Sequence, residues 1–159
     1  MTGTGDTDEA LDDALGRCYR ALGRREHSVA ELRARLERDA VPPSVIDEAL
    51  AVVREQGYLD DARYARLLVE DRRRLAGWGA ERIRARLVAA GIDRDTIDDA
   101  LGELDGPSEL AAAVELLQRR CRLPLQGARA RQQAWSLLVR QGYDSDLAYD
   151  AVRAVDAAA

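Results

Sequence analysis

Shifting the sequence against itself by 51 residues lays Glu31-Leu32-Arg33-Ala34-Arg35-Leu36 on Arg82-Ile83-Arg84-Ala85-Arg86-Leu87 without a gap, and nothing else in the chain restricts its fold as much. The same shift lays Ile46-Asp47-Glu48-Ala49-Leu50 on Ile97-Asp98-Asp99-Ala100-Leu101, and a second shift reaches Ala148-Tyr149-Asp150-Ala151-Val152. A period of this length signals stacked supersecondary units that bury their apolar faces on one another. The chain therefore reads as three tandem copies of one unit.

Each copy reads as three helices. The third helix is clearest, with apolar residues at i, i+3, i+4 and i+7: Ile46, Ala49, Leu50, Val53, then Ile97, Ala100, Leu101, Leu104, then Ala148, Ala151, Val152, Val155. The second helix carries Val29, Leu32, Leu36 and then Ala80, Ile83, Leu87, while the first keeps a looser register. Ala, Leu, Arg and Glu are abundant and phenylalanine is absent, which favours helix over strand. The expected fold is all-α: three tandem three-helix repeats with a period of 51 residues, in an elongated, curved array. A lone unit of this size buries too little surface to stand comfortably, so neighbours should share contacts.

The expected organisation is an acidic disordered leader over 1–8, repeats over 9–56, 57–105 and 106–156, and a disordered tail over 157–159. Ser28 and Glu31 spell a capping box for helix two of the first copy. Gly91-Ile92 and Gly142-Tyr143 fit a helix stop in which glycine turns left-handed and the next apolar residue packs back. Asp93 and Asp144 then cap the third helices, and Pro43 suits a first turn. Ala40 stands where the other copies have glycine. A left-handed backbone there would cost about 1 kcal/mol, so this joint is expected to be built differently. Gly106-Pro107 reads as a hinge.

Charge is sorted within the copies. Residues 17–38 hold seven arginines against three acids, and 39–61 hold six acids against one arginine. Residues 62–92 sum to +5, 93–105 to -5, and 117–140 carry six arginines with no acid. Helices one and two are thus basic and helix three acidic, a pattern suited to an extended charged partner. All 24 basic residues are arginine, which a GC-rich coding sequence would produce and which also suits bidentate contacts. The candidate contact set is Arg24, Arg25, Arg33, Arg35, Arg63, Arg72, Arg73, Arg74, Trp78, Arg82, Arg84, Arg86, Arg119, Arg120, Arg122, Arg129 and Arg131. It is proposed as a set, because successive helical residues such as Arg72-Arg73-Arg74 diverge by roughly 100°. Trp78, in Gly77-Trp78-Gly79, suits either packing between copies or partner contact, and Trp135 lies within a helix-two segment.

The sequence offers little for catalysis. His27 is the single histidine and adjoins the Ser28 cap, which makes it a local structural residue. Asp12-Asp13, Asp60-Asp61 and Asp98-Asp99 lie at helix starts or on acidic faces, where dipole complementation and solvation account for them. There is no phosphate loop, dinucleotide fingerprint, zinc spacing or nucleophile motif, so neither an enzyme nor a cofactor is expected. Cys18 and Cys121 are isolated and read as free thiols. The acidic start is no signal peptide and no apolar run approaches the roughly 18 residues of a membrane span, so a soluble, cytoplasmic monomer is expected.

Arg24-Arg25-Glu26-His27-Ser28 with the Glu31–Leu36 block, Gly57-Tyr58-Leu59-Asp60-Asp61-Ala62-Arg63-Tyr64-Ala65, and Gly77-Trp78-Gly79 with Ile83–Leu87 together resemble the RecX family of bacterial regulators of the RecA recombinase. The resemblance covers about residues 14–104; the third copy keeps Arg140-Gln141-Gly142-Tyr143 in the matching place but is otherwise divergent. It implies a protein that lodges in the helical groove of the RecA filament on single-stranded DNA and inhibits ATP hydrolysis and strand exchange in recombination, repair and the SOS response. It also implies weak binding to DNA itself, against which the net charge of -5 counts. The alternatives are a helix-turn-helix-like DNA-binding protein acting without RecA, and a helical adaptor for another protein.

Overall fold

The computed structural model describes residues 4–102 and 104–158, and every regular element in them is helical. In chain order these are α1 (Thr4–Leu22), α2 (Val29–Arg38), α3 (Pro43–Glu55), α4 (Asp61–Ala76), α5 (Ala80–Ala89), α6 (Arg94–Leu101), α7 (Gly106–Arg120), α8 (Gly127–Arg140) and α9 (Ser145–Ala157). The chain divides into two compact units, Met1–Ala65 with Val88–Thr96, and Arg66–Leu87 with Ile97–Ala159. The boundaries read from the period lie elsewhere, after residues 56 and 105. Compactness divides the second copy because the turn after α5 packs on the start of α2.

In the first unit, Ala14, Cys18 and Ala21 of α1 meet Leu32 and Leu36 of α2 and Ile46, Ala49, Leu50 and Val53 of α3 in one core. The stripes of α2 and α3 are those the spacing predicts. Removing the Leu36 side chain, which is fully buried, would cost roughly 2–5 kcal/mol. Ser28 forms the expected capping box with Glu31. Pro43 sits in the first turn of α3, where a missing N–H costs nothing.

In the second unit, Ala113, Leu116 and Leu117 of α7 pack with Ala134 and Leu138 of α8, Tyr143, and Ala148, Ala151, Val152 and Val155 of α9. Ile83 and Leu87 of α5 and Ile97, Ala100 and Leu101 of α6 are buried too. Leu104, expected to continue the α6 stripe, lies beyond the helix end and is half-buried.

Several expectations change. The segment expected to be a disordered leader is helical from Thr4, with Asp6 in the first turn of α1, where an acid suits the helix N-terminus; Met1–Gly3 lie outside the described residues. Ala157, assigned to the tail, closes α9, while Ala159 is outside them. Gly106-Pro107 is no hinge: both residues form the first turn of α7, capped by Asp105, whose carboxylate accepts the Ser108 N–H at 2.7 Å. Ala40 adopts the left-handed conformation at φ 58°, so the first joint uses the same backbone turn as Gly91 (76°) and Gly142 (95°).

Why alanine stands at 40 and glycine at 91 and 142 follows from neighbours. A Cβ on Gly91 would collide with Ala30, and one on Gly142 with the backbone and Cβ of Arg82. Ala40 is exposed. Glycine is therefore required by close approach as much as by its torsion angle.

Candidate partner-binding surface

The start of α2 rests on the turn that follows α5. Ser28 Oγ donates to the Ala90 carbonyl at 2.5 Å, and Asp61, first residue of α4, accepts the Val29 N–H at 2.8 Å. The first bond satisfies a carbonyl left open at the end of α5, and the second an N–H left open at the start of α2. Glu31 closes the capping box and also accepts from Arg25 and from Tyr64. Burial alone would raise its carboxyl pKa, but the Ser28 N–H, Arg25 and Tyr64 outweigh burial and hold it below the ordinary range. His27 is buried with Nδ1 3.0 Å from the Arg25 carbonyl, and burial lowers its pKa. It is a structural residue, as its position beside the cap suggests.

The same join recurs in the second unit by other means. The start of α5 rests on the turn after α8: the Gly79 N–H donates to Gln141 O at 2.8 Å and the Glu81 N–H to Gly142 O at 3.0 Å. The Ala80 N–H donates to Glu109 of α7 at 3.3 Å. Glu109 is 8 % exposed and pairs with Arg73, whose guanidinium also donates to the Trp78 carbonyl and lies over the Tyr143 ring. The Tyr143 hydroxyl donates to Gly77 O at 3.1 Å, and burial raises its pKa.

The candidate arginines divide by what already holds them. Arg73 belongs to the join just described, with only 13 % of its side chain exposed. Arg63 reaches Glu26, Gly57 O and Tyr58 O and is likewise an internal brace. Arg33 pairs with Asp47 at 2.9 Å and Arg84 with Asp98 at 2.8 Å, each bridging the second and third helices of its copy. Arg74 pairs with Glu70, Arg131 with Asp156, and Arg119 reaches Glu115 only at 4.0 Å. Arg86 is half-buried and engaged. Arg24, Arg120, Arg122 and Arg129 are exposed and face no carboxylate among the described residues, and half-buried Arg35 also lacks one.

Two groupings emerge within the units. In the first, Arg25 and Arg35 with Arg38 line a recess of about 580 Å³ that also includes His27, Glu31 and Glu37. In the second, Trp78 is half-buried, and the guanidinium carbons of Arg72 and Arg82 lie 5.0 and 4.0 Å from its ring centroid. Arg82 also reaches Gln141 at 3.1 Å. Cation–π contact on this scale contributes about 0.5–2 kcal/mol and fixes both arginines in place.

Sequence reasoning did not single out Glu109, and it placed Tyr143 as a residue packing behind Gly142 and Asp61 at a helix start without their bonds to Gly77 and Val29, which lie far along the chain. No group of three or more metal-ligating side chains occurs among the described residues, and no described helix is long and apolar enough to cross a membrane. Cys18 is a buried and Cys121 a half-buried free thiol, and burial raises the pKa of both.

Solved structures share the arrangement. RecX from Lactobacillus salivarius superposes with a TM-score of 0.84 over 94 % of this chain and 99 % of its own, at 17 % identity. A second regulatory protein RecX structure reaches 0.81 over 94 % of this chain and 75 % of its own, at 22 % identity. The class is thus an all-helical protein with the fold of these structures. Residues 14–51 match the model of the RecX first three-helix domain and 60–101 that of the second. Regulatory protein RecX of Deinococcus radiodurans is 34 % identical over 93 % of this chain and 71 % of its own length, and that of Leptothrix cholodnii 36 % over 89 % and 88 %. The chain belongs to the RecX family.

Proposed function

We propose that this chain binds the RecA filament on single-stranded DNA, occupies its helical groove, and inhibits ATP hydrolysis and strand exchange during recombination, repair and the SOS response. It acts by occupying a surface and not by catalysing a reaction, and it works as a cytoplasmic monomer. The observation that carries this reading is family membership across both matched three-helix segments. The arginines without carboxylate partners supply the physical means. Arg24, Arg35, Arg120, Arg122 and Arg129 are available to acidic groups at no cost in internal pairing, and the Arg72–Trp78–Arg82 stack adds a rigid, partly apolar contact. Arg63 and Arg73 leave the candidate set, since their guanidinium groups hold the protein together.

The test adds purified protein to single-stranded DNA coated with the recombinase of the same organism and follows ATP hydrolysis and strand exchange. Both should fall at stoichiometric protein, and the inhibition should weaken with salt as surface arginine contacts are screened. Unchanged rates would sink the proposal. Tight, salt-steep binding to labelled duplex without RecA, read by fluorescence anisotropy, would instead favour a DNA-binding protein acting alone.

A further inference from the structure

The 51-residue period exposes a substitution with a chemical meaning. Arg33 and Asp47, bridged across α2 and α3, fall by that shift on Arg84 and Asp98, bridged across α5 and α6. A further shift reaches Trp135 on α8 and Tyr149 on α9. The third copy thus replaces an ion pair with two aromatic rings, and a groove of about 610 Å³ opens beside them.

Its lining suits one kind of occupant. Ala128 and Val152 give it apolar surface, and Tyr149 is 59 % exposed. The Trp135 indole N–H donates to the Ser145 carbonyl at 3.1 Å, so its ring offers hydrocarbon rather than a donor. Arg131 is held by Asp156, while Arg153 lies 5.8 Å from the Tyr149 centroid and faces no carboxylate among the described residues. Trp135 packs in part on the core of its unit while Tyr149 is left exposed, and an aromatic surface at a place where the other copies carry an ion pair marks an interaction site.

We infer that the α8–α9 groove binds a protein segment carrying an aliphatic side chain flanked by carboxylates, with the aliphatic group on Trp135 and Tyr149 and a carboxylate on Arg153. With Arg131 held by Asp156, Arg153 is left to meet an anion, which suits an isolated carboxylate and not a run of phosphates. The identity of the partner as a RecA protomer rests on the function proposed above; the chemistry of the groove does not.

The test uses the full chain labelled with 5-fluorotryptophan and a double variant, Trp135→Arg with Tyr149→Asp, which rebuilds the bridge of the other two copies. Trp135 packs in part on the core, so the double variant should unfold cooperatively at a lower temperature. Tyr149→Asp alone, at an exposed position, should leave thermal unfolding unchanged and weaken peptide and filament binding in the same direction. The fluorine signal absent from the double variant belongs to Trp135. A short synthetic peptide with two leucines among glutamates should shift that signal saturably, and oligothymidylate should leave it in place. A shift with the oligonucleotide alone, or no saturable shift with the peptide, would overturn the inference. In co-sedimentation with RecA filaments the double variant should bind about tenfold more weakly. Equal binding would overturn the groove's part in filament contact while leaving the filament reading intact. Failure of the unaltered chain to bind filaments would sink that reading, and the peptide titration would still decide the groove.

Discussion

The two joins in this molecule do the same work with different chemistry. Each seats the N-terminus of a second helix on the glycine turn that ends the second helix of the following copy. In the first unit the seated helix brings its own cap, Ser28, and the neighbour contributes one half-buried carboxylate, Asp61. In the second unit Gly79 has no side chain, and the neighbour's backbone carbonyls come close enough that a Cβ at 79 would collide with Gly142. Glu109 then takes the role of Asp61 but is buried, and a buried carboxylate needs the Arg73 guanidinium beside it. A local cap leaves a join that tolerates change; a cap supplied by the neighbour concentrates stability in a few buried groups.

Substitutions can break that contrast, and both tryptophans lie in the second unit, so their fluorescence reports that unit's urea unfolding. The largest loss is expected for Gly142→Ala, which adds strain at φ 95° to a collision with Arg82 and should cost roughly 3–5 kcal/mol. Gly91→Ala meets only the Ala30 methyl at close range and should cost about 2 kcal/mol, read by circular dichroism. Equal losses would remove the distinction between the joins. Glu109→Ala leaves Arg73 unpaired in a site where 13 % of its side chain is exposed, and should lower the midpoint of the tryptophan transition by an amount worth about 3 kcal/mol. Asp61→Ala should cost about 1 kcal/mol and leave that transition where it is.

Two smaller effects sharpen the first unit. Ala40→Gly relieves a left-handed alanine but frees the unfolded chain, so its net gain should be only about 0.5 kcal/mol in urea denaturation. His27 and Glu31 both have folded pKa values below their ordinary ones. The unfolded chain therefore binds more protons, and the stability each group contributes is present above its unfolded pKa and lost as pH falls toward the folded one. Acid titration of the unfolding midpoint should show a histidine step followed by a carboxylate step. His27→Gln should remove the first, and its persistence would assign it elsewhere.

Local chemistry made much of this fold legible in the sequence. The α2 and α3 stripes, the Ser28–Glu31 box, the Asp93 and Asp144 caps and the left-handed glycines each depend on residues a few positions apart, and each is found as expected. Contacts between copies were not legible. Glu109 reads as an ordinary acid in a first helical turn, and only folding brings Arg73 and the Ala80 N–H to it. Arg73 for that reason read as a surface arginine. The reason for glycine at 91 and 142 but alanine at 40 likewise lies in Ala30 and Arg82, which approach two of the turns and have no counterpart at the third. Trp135 and Tyr149 stood in register with Arg33 and Asp47 all along; their meaning required seeing that the latter two touch.

On the function proposed above, the arginines left without carboxylate partners once the joins are made, with the Arg72, Trp78 and Arg82 group, grip the filament. Co-sedimentation of the full chain with RecA filaments on single-stranded DNA, beside the same DNA without RecA, tests this most directly. The protein should pellet with the filament and stay in solution with bare DNA. Equal pelleting with both, or with neither, would contradict it.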